Sequence, residues 1–202
     1  AMVRAHVEAH SGTAGRSATY LARAGSALRP PAALVLAIGG LPGTGKSTLA
    51  RALAPALGPP PGALVLRSDE IRKRQAGAAP ETRLPAAAYT PAASAAVFAE
   101  LAAMTAIAVA AGHRVIADAT FMDPARRAQQ QAAAGGAPFL GIWLQAPLPV
   151  LEARVAARRG DASDADLAVL HQAAAHDPGA RDWRAVAAGD GDGALAAIRM
   201  LL

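Results

Sequence analysis

A short apolar run followed at once by a glycine-rich turn constrains the fold of this chain more than any other feature. Residues 33–38 read Ala-Leu-Val-Leu-Ala-Ile, which is too short for a helix and apolar enough for a buried strand. The turn that follows matches the pattern G-x-x-x-x-G-K-[ST], and a helical pattern comes after it. The turn and the next residue are Gly40, Leu41, Pro42, Gly43, Thr44, Gly45, Lys46, Ser47 and Thr48. This order of strand, turn and helix predicts a loop that binds phosphate groups.

The residue types of this turn suit a nucleotide. Glycines let backbone N–H groups point at phosphate oxygens, and the start of a helix adds partial positive charge. Lys46 is predicted to reach the β- and γ-phosphates, and the Ser47 hydroxyl to take one position around Mg²⁺. The alternative is a chance glycine turn. However, among 20 Lys and Arg residues only Lys46 and Lys73 are lysines, so one of the two stands where an ammonium is needed.

Composition excludes several classes of protein. The chain has 202 residues, enough for one domain, and no cysteine, which excludes a disulfide scaffold, a thiolate nucleophile and a Cys-ligated metal site. Residues 1–11 contain charged side chains and no apolar run, so we expect no signal peptide and a cytoplasmic protein. The net charge of +5 raises nucleic acid as a partner. Because no basic block with interleaved aromatics supports it, nucleic acid is not favoured.

One stretch, 92–111, has the length of a membrane span. It is mostly alanine and carries Glu100 near its middle, which is costly in a bilayer. Val97, Leu101, Met104 and Ala108 form a stripe at helical spacing. This stripe predicts a helix packed inside a protein, and no membrane association is expected.

Strand and helix patterns alternate along the rest of the chain. Strands are predicted at 33–38, 63–66, 114–117, 138–145 and 183–187. Helices are predicted at 2–9 and 16–28, from the glycine-rich turn to about 57, at 69–75, 92–111, 124–134, 147–159 and 164–175, and at the end of the chain. This alternation predicts an α/β three-layer sandwich around a parallel five-stranded sheet. A break at 29–31 predicts a helical N-terminal extension, 1–31, before a main domain, 32–202.

Directly after the second strand comes the segment Arg67-Ser68-Asp69-Glu70-Ile71-Arg72-Lys73. Ligands of parallel sheets gather at the carboxyl ends of strands, so Asp69 is predicted to face the γ-phosphate. A carboxylate there can take the proton of an attacking hydroxyl, and Arg72, one helical turn later, can hold an anionic or polar acceptor. The alternative is that Ser68 or Asp69 only caps the helix.

The third strand also ends on an acid, Asp118. It can bind the Mg²⁺ shell through water or contact the acceptor, and a plain turn or capping residue is the alternative. Arg126 and Arg127 follow on a helix that starts near the cleft, where either could be merely solvated. His113 is expected to be structural, and since no second ligand stands at a metal spacing, no metal site built by the protein alone is predicted.

A segment rich in arginine and aspartate, about 154–168, has the features of a mobile lid over phosphates. Arg154 and Arg158 share a helix face, and Ser163 with Asp166 forms a predicted capping box for the next helix. A solvated charged helix is the alternative. Further on, the region from Trp183 to Gly189 could pass near an adenine ring, although a core tryptophan is the commoner outcome.

Taken in order, these motifs resemble the P-loop kinases of the AAA-domain ATP-binding group, relatives of phage polynucleotide kinase, zeta-toxin kinases, gluconate kinase and chloramphenicol phosphotransferase. The matching motifs are Gly40 to Ser47, Ser68-Asp69-x-x-Arg72-Lys73, Asp118-Ala119 and Arg154-x-x-x-Arg158-x-x-Asp161-x-Ser163-Asp164-Ala165. More narrowly, residues 33–188 are similar to the C-terminal ATP-binding half of bifunctional aminoglycoside phosphotransferase/ATP-binding proteins. That likeness is carried by Thr82-Arg83-Leu84-Pro85, Ala88-Tyr89-Thr90-Pro91 and Gly141-Ile142-Trp143-Leu144.

The resemblance implies a kinase with ATP and Mg²⁺ as cofactors. It implies Asp69 as base, Arg72 and Arg127 toward the acceptor, and lid arginines between Arg154 and Arg159, with Arg158 the catalytic one. Residues 3–31 resemble the tail of the upstream phosphotransferase-like half, so a fusion to such a domain is expected, without its activity.

Three functions stay open from the sequence. The first is transfer of the γ-phosphoryl of ATP to a hydroxyl of a small molecule such as a sugar, a nucleotide sugar or an antibiotic. The second is a 5′-hydroxyl polynucleotide kinase, and the third is a non-catalytic nucleotide-binding regulatory module.

Overall fold

The computed structural model describes residues 1–10, 14–28, 32–58, 60–158, 161–179, 182–189 and 191–201. The strands are β1 Val35–Gly40, β2 Leu64–Arg67, β3 Val115–Asp118, β4 Phe139–Gln145 and β5 Arg184–Ala187. The α-helices are α1 Met2–His10, α2 Ala14–Leu28, α3 Lys46–Leu53, α4 Ser68–Gln75, α5 Pro91–Ala110, α6 Pro124–Ala132, α7 Leu148–Ala157, α8 Leu167–Ala175 and α9 Gly191–Arg199. Short 3₁₀ helices cover Ala54–Ala56 and Ala86–Tyr89.

The strands form one sheet in the order β2-β3-β1-β4-β5, and every neighbouring pair is parallel. This confirms the predicted α/β fold with a parallel five-stranded sheet. The register aligns Asp118 at the end of β3 with Ile38 of β1 on one side and with Arg67 of β2 on the other. The carboxyl ends of these three strands therefore meet at one edge of the sheet, where ligands of such folds bind.

Side chains alternate between the two faces of β1 and both faces are covered. Leu36 and Ile38 belong to an apolar cluster with Leu53 of α3 and Ile198 of α9. Ala37 belongs to a second cluster, on the side of α5. Burial on both faces explains why the central strand reads as a continuous apolar run and not as an alternating one.

Helix α5 packs with the stripe that its sequence predicts. Val97, Leu101 and Ala108 are buried and Met104 is partly buried, all in the cluster that contains sheet residues of β3. By length and composition alone α5 could cross a membrane. In the structure this helix instead covers one face of the sheet, and its apolar stripe faces the sheet.

The structure corrects several predicted boundaries. β1 begins at Val35 and extends to Gly40, two residues past its predicted end. α3 ends at Leu53 and the chain continues as a 3₁₀ turn, because Pro55 has no N–H for an α-helical bond. The predicted loop before α5 contains the 3₁₀ helix Ala86–Tyr89. The break at 29–31 lies outside the described residues.

Trp183 packs on the backbone of β4 at Gly141, as expected for a core tryptophan. It is 7% exposed, and a Cβ built on Gly141 would lie 2.5 Å from its Cδ1 atom. Its ring also meets that of Phe121 at 5.0 Å between centroids. Trp183 thus occupies space that only a glycine at position 141 leaves open.

We expect Gly141→Ala to lower the free energy of unfolding by about 1–3 kcal/mol, because the added methyl displaces the indole. Urea unfolding followed by tryptophan fluorescence measures the change. The matched control is Gly25→Ala in α2, where a Cβ meets nothing within 4 Å. Equal stability of Gly141→Ala and the wild type would contradict the packing of Trp183 on this position.

Candidate active site

The glycine-rich loop between β1 and α3 has the backbone geometry of a phosphate cradle. Gly40, Gly43 and Gly45 have positive φ angles of 138°, 85° and 87°. A Cβ on Gly40 would lie 2.6 Å from the carbonyl oxygen of Leu144, and one on Gly43 would lie 2.9 Å from that of Leu151. Only glycine fits such positions without strain, so the loop can curl and turn its N–H groups inward.

Lys46, the first residue of α3, lies across this loop. Its Nζ donates to the carbonyl oxygens of Gly40 and Leu41, each at 2.9 Å. Burial lowers the pKa of Lys46, while the negative charges of Asp118 and Asp69 raise it. The lysine ammonium is therefore within electrostatic reach of both carboxylates that the sequence singles out.

Ser47 and Asp118 form an oxygen pair beside the loop. The Ser47 hydroxyl donates to Oδ2 of Asp118 at 2.5 Å, and the same carboxylate oxygen accepts from Nε of Arg67 at 3.2 Å. Asp118 is 4% exposed and ends a strand, so it neither caps a helix nor occupies a turn. Serine hydroxyl and carboxylate oxygens are the donors that Mg²⁺ prefers, and these two residues fit that ion.

Protein ligands alone do not complete such an ion site. Among the described residues, no group of three or more His, Asp and Glu side chains is placed to hold a metal. Mg²⁺ commonly keeps its waters and takes further oxygens from substrate phosphates. The site therefore fits a metal that arrives with a nucleotide.

Asp69 lies in the first turn of α4 and lines the same cavity as Lys46. The N-cap of α4 is Arg67 and no side chain caps it, so the capping alternative for Ser68 and Asp69 is wrong. Burial and the charge of Asp118 raise the pKa of Asp69, against the attraction of Lys46 and Arg67 and a hydrogen bond from the Ser163 hydroxyl. A carboxyl group with a raised pKa accepts a proton more readily.

A segment after α7, residues 161–164, lies against β2 and α4. Oδ1 of Asp161 accepts from Nη2 of Arg67 at 2.8 Å, and Oδ1 of Asp164 accepts from Nζ of Lys73 at 2.6 Å. Ser163 lies between them in the sequence and lines the cavity with Asp69. The segment thereby brings three side chains to the edge of the sheet from far along the sequence.

Asp164 also organises the loop that precedes α5. Its Oδ2 accepts from the backbone N–H of Leu84 at 2.9 Å and from the hydroxyl of Tyr89. Burial raises the pKa of Asp164, but the bonds from Lys73, Tyr89 and Leu84 outweigh this and lower it. The carboxylate is therefore held ionised at the junction of α4, this loop and the segment 161–164.

The predicted capping box of Ser163 and Asp166 is wrong. α8 begins at Leu167, and Asp166 is its N-cap residue, with Oδ1 accepting from the backbone N–H of Val169 at 3.1 Å. Ser163 lies too early to cap this helix, and it lines the cavity instead.

Arg72, the predicted acceptor-binding residue, lines the cavity and is 9% exposed. Its Nη1 donates to the carbonyl oxygen of Ala88 at 2.6 Å, and its guanidinium carbon lies 4.7 Å from the ring centroid of Tyr89. Among the described residues, its buried Nε has no hydrogen-bond partner. These contacts of Arg72 are all with neutral groups.

The structure places Arg127 outside the cavity. It is 3% exposed, and its Nη atoms donate to the carbonyl oxygens of Phe121, Met122 and Pro178 at 2.8–3.1 Å. Arg127 therefore holds the loop after β3 together, and this geometry does not bring it to an acceptor. Arg126 lies 5.8 Å from the ring centroid of Phe98 and also does not line the cavity.

The predicted lid arginines that the structure describes, Arg154 and Arg158, line the same cavity as Arg72. Arg154 donates to the carbonyl oxygens of Ala188 and Gly189 at 2.8 and 2.7 Å, next to the end of β5. Arg158 lines the cavity, and its positive charge is near enough to Lys46 to lower the pKa of that lysine. Arg159 lies outside the described residues.

One cavity of about 1240 Å³ connects these groups. It is lined by the glycine-rich loop and by residues that lie far apart in the sequence: Arg51, Arg72, Arg83, Leu84, Tyr89, Phe98, Arg154, Ala188, Ala194 and Leu195. Asp69 and Asp118 line it as well. The cavity is large enough for two small ligands placed end to end.

A family model described as "AAA domain" matches residues 35–177. The chain belongs to this family. The match spans the sheet from β1 to β4 and includes every site residue described so far except those after α8.

Solved structures share this AAA domain fold. A sugar kinase from Janibacter sp. HTCC2649 aligns with a TM-score of 0.61 and 18% identity over 84% of this chain and 94% of that one. The Mycobacterium tuberculosis APS kinase, solved with AMPPNP and APS, aligns with a TM-score of 0.59 and 20% identity over 85% of this chain and 98% of that one. A gluconokinase from Sinorhizobium meliloti 1021 aligns with a TM-score of 0.56 and 22% identity over 85% of this chain and 93% of that one. This AAA domain therefore has the fold of the P-loop kinases.

Related sequences are longer than this chain. The uncharacterized protein Rv2004c of Mycobacterium tuberculosis H37Rv is 34% identical over 152 residues, which are 72% of this chain and 29% of that protein. The uncharacterized protein Mb2027c of Mycobacterium bovis matches equally. The chain thus spans about 29% of the length of the curated relatives it matches.

Sequence reasoning assigned no role to Arg67 or to Lys73 in this AAA domain, and it gave Ser163 the wrong one. Arg67 is 4% exposed and binds Asp118, Asp161 and Glu70. The available signal was weak. Arg67 is a basic residue at the end of an otherwise apolar strand, and Lys73 on α4 is one of the two lysines of the chain. Their carboxylate partners, Asp161 and Asp164, lie far along the chain.

We expect Lys73→Met to cost about 3–5 kcal/mol of unfolding free energy, because it leaves the buried carboxylate of Asp164 without its cation. Side-chain exposure in this pair is 2% and 11%. The matched control, Arg83→Met, breaks the exposed pair with Asp166 (71% and 44%) and should cost far less, because solvent screens exposed charges. Urea denaturation measures both, and equal losses would contradict the difference assigned to burial.

Proposed function

We propose that this AAA domain is an ATP- and Mg²⁺-dependent kinase that transfers the γ-phosphoryl group to a hydroxyl of an acceptor, which we take to be a small molecule. The observation that carries the proposal is the position of Asp69. It lines one cavity with the phosphate loop and with Arg72, and its charge acts on Lys46. A base between a phosphate site and an acceptor site is the arrangement that phosphoryl transfer to a hydroxyl requires.

The nucleotide is proposed to occupy the end of the cavity formed by the loop and by α9. Backbone N–H groups of residues 43–47 and the ammonium of Lys46 would hold the β- and γ-phosphates. Arg154, Ala188 and Leu195 would surround the base and ribose at the far end. Arg158, which lies near Lys46, would add positive charge beside the transferring group.

Ser47 and Asp118 are the residues proposed to hold Mg²⁺, Ser47 directly and Asp118 through a water molecule. The ion, when bound with ATP, neutralises charge that develops on the phosphate oxygens. Arg67 holds Asp118 in place at the end of β3 through the 3.2 Å contact to its carboxylate. These residues would therefore keep Mg²⁺ and the phosphate groups in a fixed position during transfer.

Asp69 is the proposed base. It accepts the proton of the acceptor hydroxyl as that oxygen bonds to the γ-phosphorus, while the bond from phosphorus to the β,γ-bridging oxygen breaks and ADP leaves. Burial raises the pKa of Asp69 toward the working range of a base. The proton thus remains in the cavity, close to the phosphorylated product.

Arg72 and Tyr89 are proposed to bind the acceptor at the opposite end. The unpartnered Nε of Arg72 gives this end a hydrogen-bond donor on a buried positive charge, which favours an acceptor with a polar or anionic group. The shared fold of a sugar kinase and an APS kinase supports a small molecule over a nucleic-acid end.

Domain boundaries and location belong to the same proposal. We place a helical extension at 1–31, the kinase domain at 32–202 and its lid at about 154–168, in a cytoplasmic protein. The greater length of the curated relatives supports a further domain in the whole protein, for which we propose the phosphotransferase-like half.

Asp69→Asn should reduce transfer by about 10²–10⁴-fold and leave nucleotide affinity unchanged, because the amide keeps the shape and loses the base. Transfer is measured with γ-labelled ATP against sugars, nucleotide sugars, antibiotics and 5′-hydroxyl oligonucleotides, and affinity by calorimetry. Asp182→Asn, at an exposed carboxylate outside the cavity, is the control. Full transfer by Asp69→Asn would remove the proposed base. Nucleotide binding without transfer to any acceptor would favour the regulatory module.

Arg72→Gln should raise the KM for the acceptor by about 10–100-fold, the loss expected when a charge-assisted hydrogen bond is removed. The KM for ATP should not change. Arg74→Gln is the control on the same helix, since Arg74 is 55% exposed and pairs with Glu100 outside the cavity. A rise in the KM for ATP instead would place Arg72 at the nucleotide end.

A further inference from the structure

The carboxylate of Asp164 binds helix α4 and the loop 82–89 at the same time. Its Oδ1 accepts from Nζ of Lys73 at 2.6 Å. Its Oδ2 accepts from the backbone N–H of Leu84 at 2.9 Å and from the hydroxyl of Tyr89 at 2.5 Å. The side chains of this ion pair are 2% and 11% exposed. Because breaking a buried ion pair leaves an uncompensated charge, the carboxylate is a fixed point to which the loop is tied.

Tyr89 connects this fixed point to Arg72. The guanidinium carbon of Arg72 lies 4.7 Å from the centroid of the tyrosine ring. Nη1 of the same arginine donates to the carbonyl oxygen of Ala88 at 2.6 Å, so Arg72 holds this end of the loop by a second contact. A cation over the face of a tyrosine ring is attracted by it, and more strongly where solvent is excluded. Contacts therefore run without a break from Asp164 through Tyr89 to Arg72.

The hydroxyl of Tyr89 is the point at which its ring is held. Tyr89 is 40% exposed, so packing alone leaves the ring room to turn away from Arg72. Burial and the bond to the Asp164 carboxylate raise the pKa of Tyr89, so the phenol keeps its proton and donates it. A hydrogen bond at the tip of the side chain fixes the direction of the ring as a whole. Both Tyr89 and Arg72 line the cavity.

We propose that Asp164 is a positioning residue for acceptor binding. It holds the hydroxyl of Tyr89, so that the ring stays against the guanidinium of Arg72 and keeps this cation in place in the cavity. Asp164 acts through Tyr89 and not by contact with the acceptor. That the acceptor binds at Arg72 rests on the proposed function, whereas the arrangement of the three side chains does not depend on it.

The test uses two variants, each with a matched control. Tyr89→Phe removes the hydroxyl and keeps the ring, and its control is Tyr20→Phe, which removes a hydroxyl that is hydrogen-bonded within the N-terminal helices. Asp164→Asn removes the charge, and its control is Asp166→Asn, at an exposed carboxylate paired with Arg83 of the same loop. Circular dichroism shows whether each variant is folded.

The first readout needs no ligand. It is the Nε–H signal of Arg72 in ¹⁵N-arginine-labelled protein, assigned with Arg72→Gln. The aromatic ring of Tyr89 displaces this signal, because nuclei above the face of a ring are shielded. Asp164→Asn should move the signal toward that of exposed arginines, since the ring is no longer held, and Tyr89→Phe should move it in the same direction. Both controls should leave it where it is in the wild type.

The second readout is the KM for the acceptor found in the γ-labelled ATP screen. Tyr89→Phe and Asp164→Asn should each raise it by about 10-fold, the lower range for loss of a hydrogen bond to a charged group. The KM for ATP should not change in either, and kcat should not change in Tyr89→Phe. The double variant should have the KM of Asp164→Asn alone, because two residues that act through one contact are not additive.

An Arg72 signal at the wild-type position in folded Asp164→Asn would overturn the proposal. So would single effects on the KM that multiply in the double variant, since Asp164 would then act separately from Tyr89. If Asp164→Asn does not fold, Tyr89→Phe decides alone, and an unchanged signal with an unchanged KM overturns the proposal.

Failure of the kinase proposal gives a different pattern. If the Arg72 signal moves as expected but the wild type transfers phosphoryl to no acceptor, the arrangement of the three side chains stands and its role in acceptor binding falls with the kinase. If the wild type is active and the KM for the acceptor is the same in every variant, the kinase proposal stands and Asp164 has no positioning role.

Discussion

The buried guanidinium of Arg67 is the interaction on which the rest of this site depends. It ends β2 at 4% exposure and binds carboxylates from three parts of the chain: Asp118 of β3, Glu70 of α4 and Asp161 after α7. Carboxylates this close together would repel one another without a cation between them. Arg67 therefore allows Asp118, the start of α4 and the segment 161–164 to meet at one edge of the sheet.

This arrangement links parts of the candidate site that lie apart in the sequence. Ser47 reaches Asp118, Asp118 reaches Arg67, and Arg67 reaches Asp161 through direct contacts of 2.5, 3.2 and 2.8 Å. Through Asp161 these residues are joined to the segment 161–164, which also contacts α4 through the pair of Asp164 and Lys73.

The sequence was sufficient for the features set by local pattern. The sheet followed from alternating periodicities, and the phosphate loop from a motif in its strand-loop-helix context. Asp69 and Asp118 could be chosen because parallel strands bring their carboxyl ends together, whatever the details of packing. Helix ends were less secure: at Leu53 the chain leaves the α-helix ahead of Pro55, a boundary that helical periodicity alone did not reveal.

Contacts between distant residues could not be foreseen in the same way. Arg67 and Asp161 are 94 positions apart, and no local pattern pairs them. The arginines show the same limit. Charge and spacing suggested Arg127 for the acceptor, yet its guanidinium is used by three carbonyl oxygens, because a buried loop needs donors as much as a ligand does.

The most direct measurement is a crystal structure of this AAA domain with Mg²⁺ and the non-hydrolysable ATP analogue AMPPNP. The account predicts the γ-phosphate between Lys46 and Asp69, the metal on Ser47 with Asp118 behind a water, and the carboxylate of Asp69 open to the part of the cavity lined by Arg72. A nucleotide bound with its γ-phosphate away from Asp69, or an Asp69 turned out of the cavity, would contradict it.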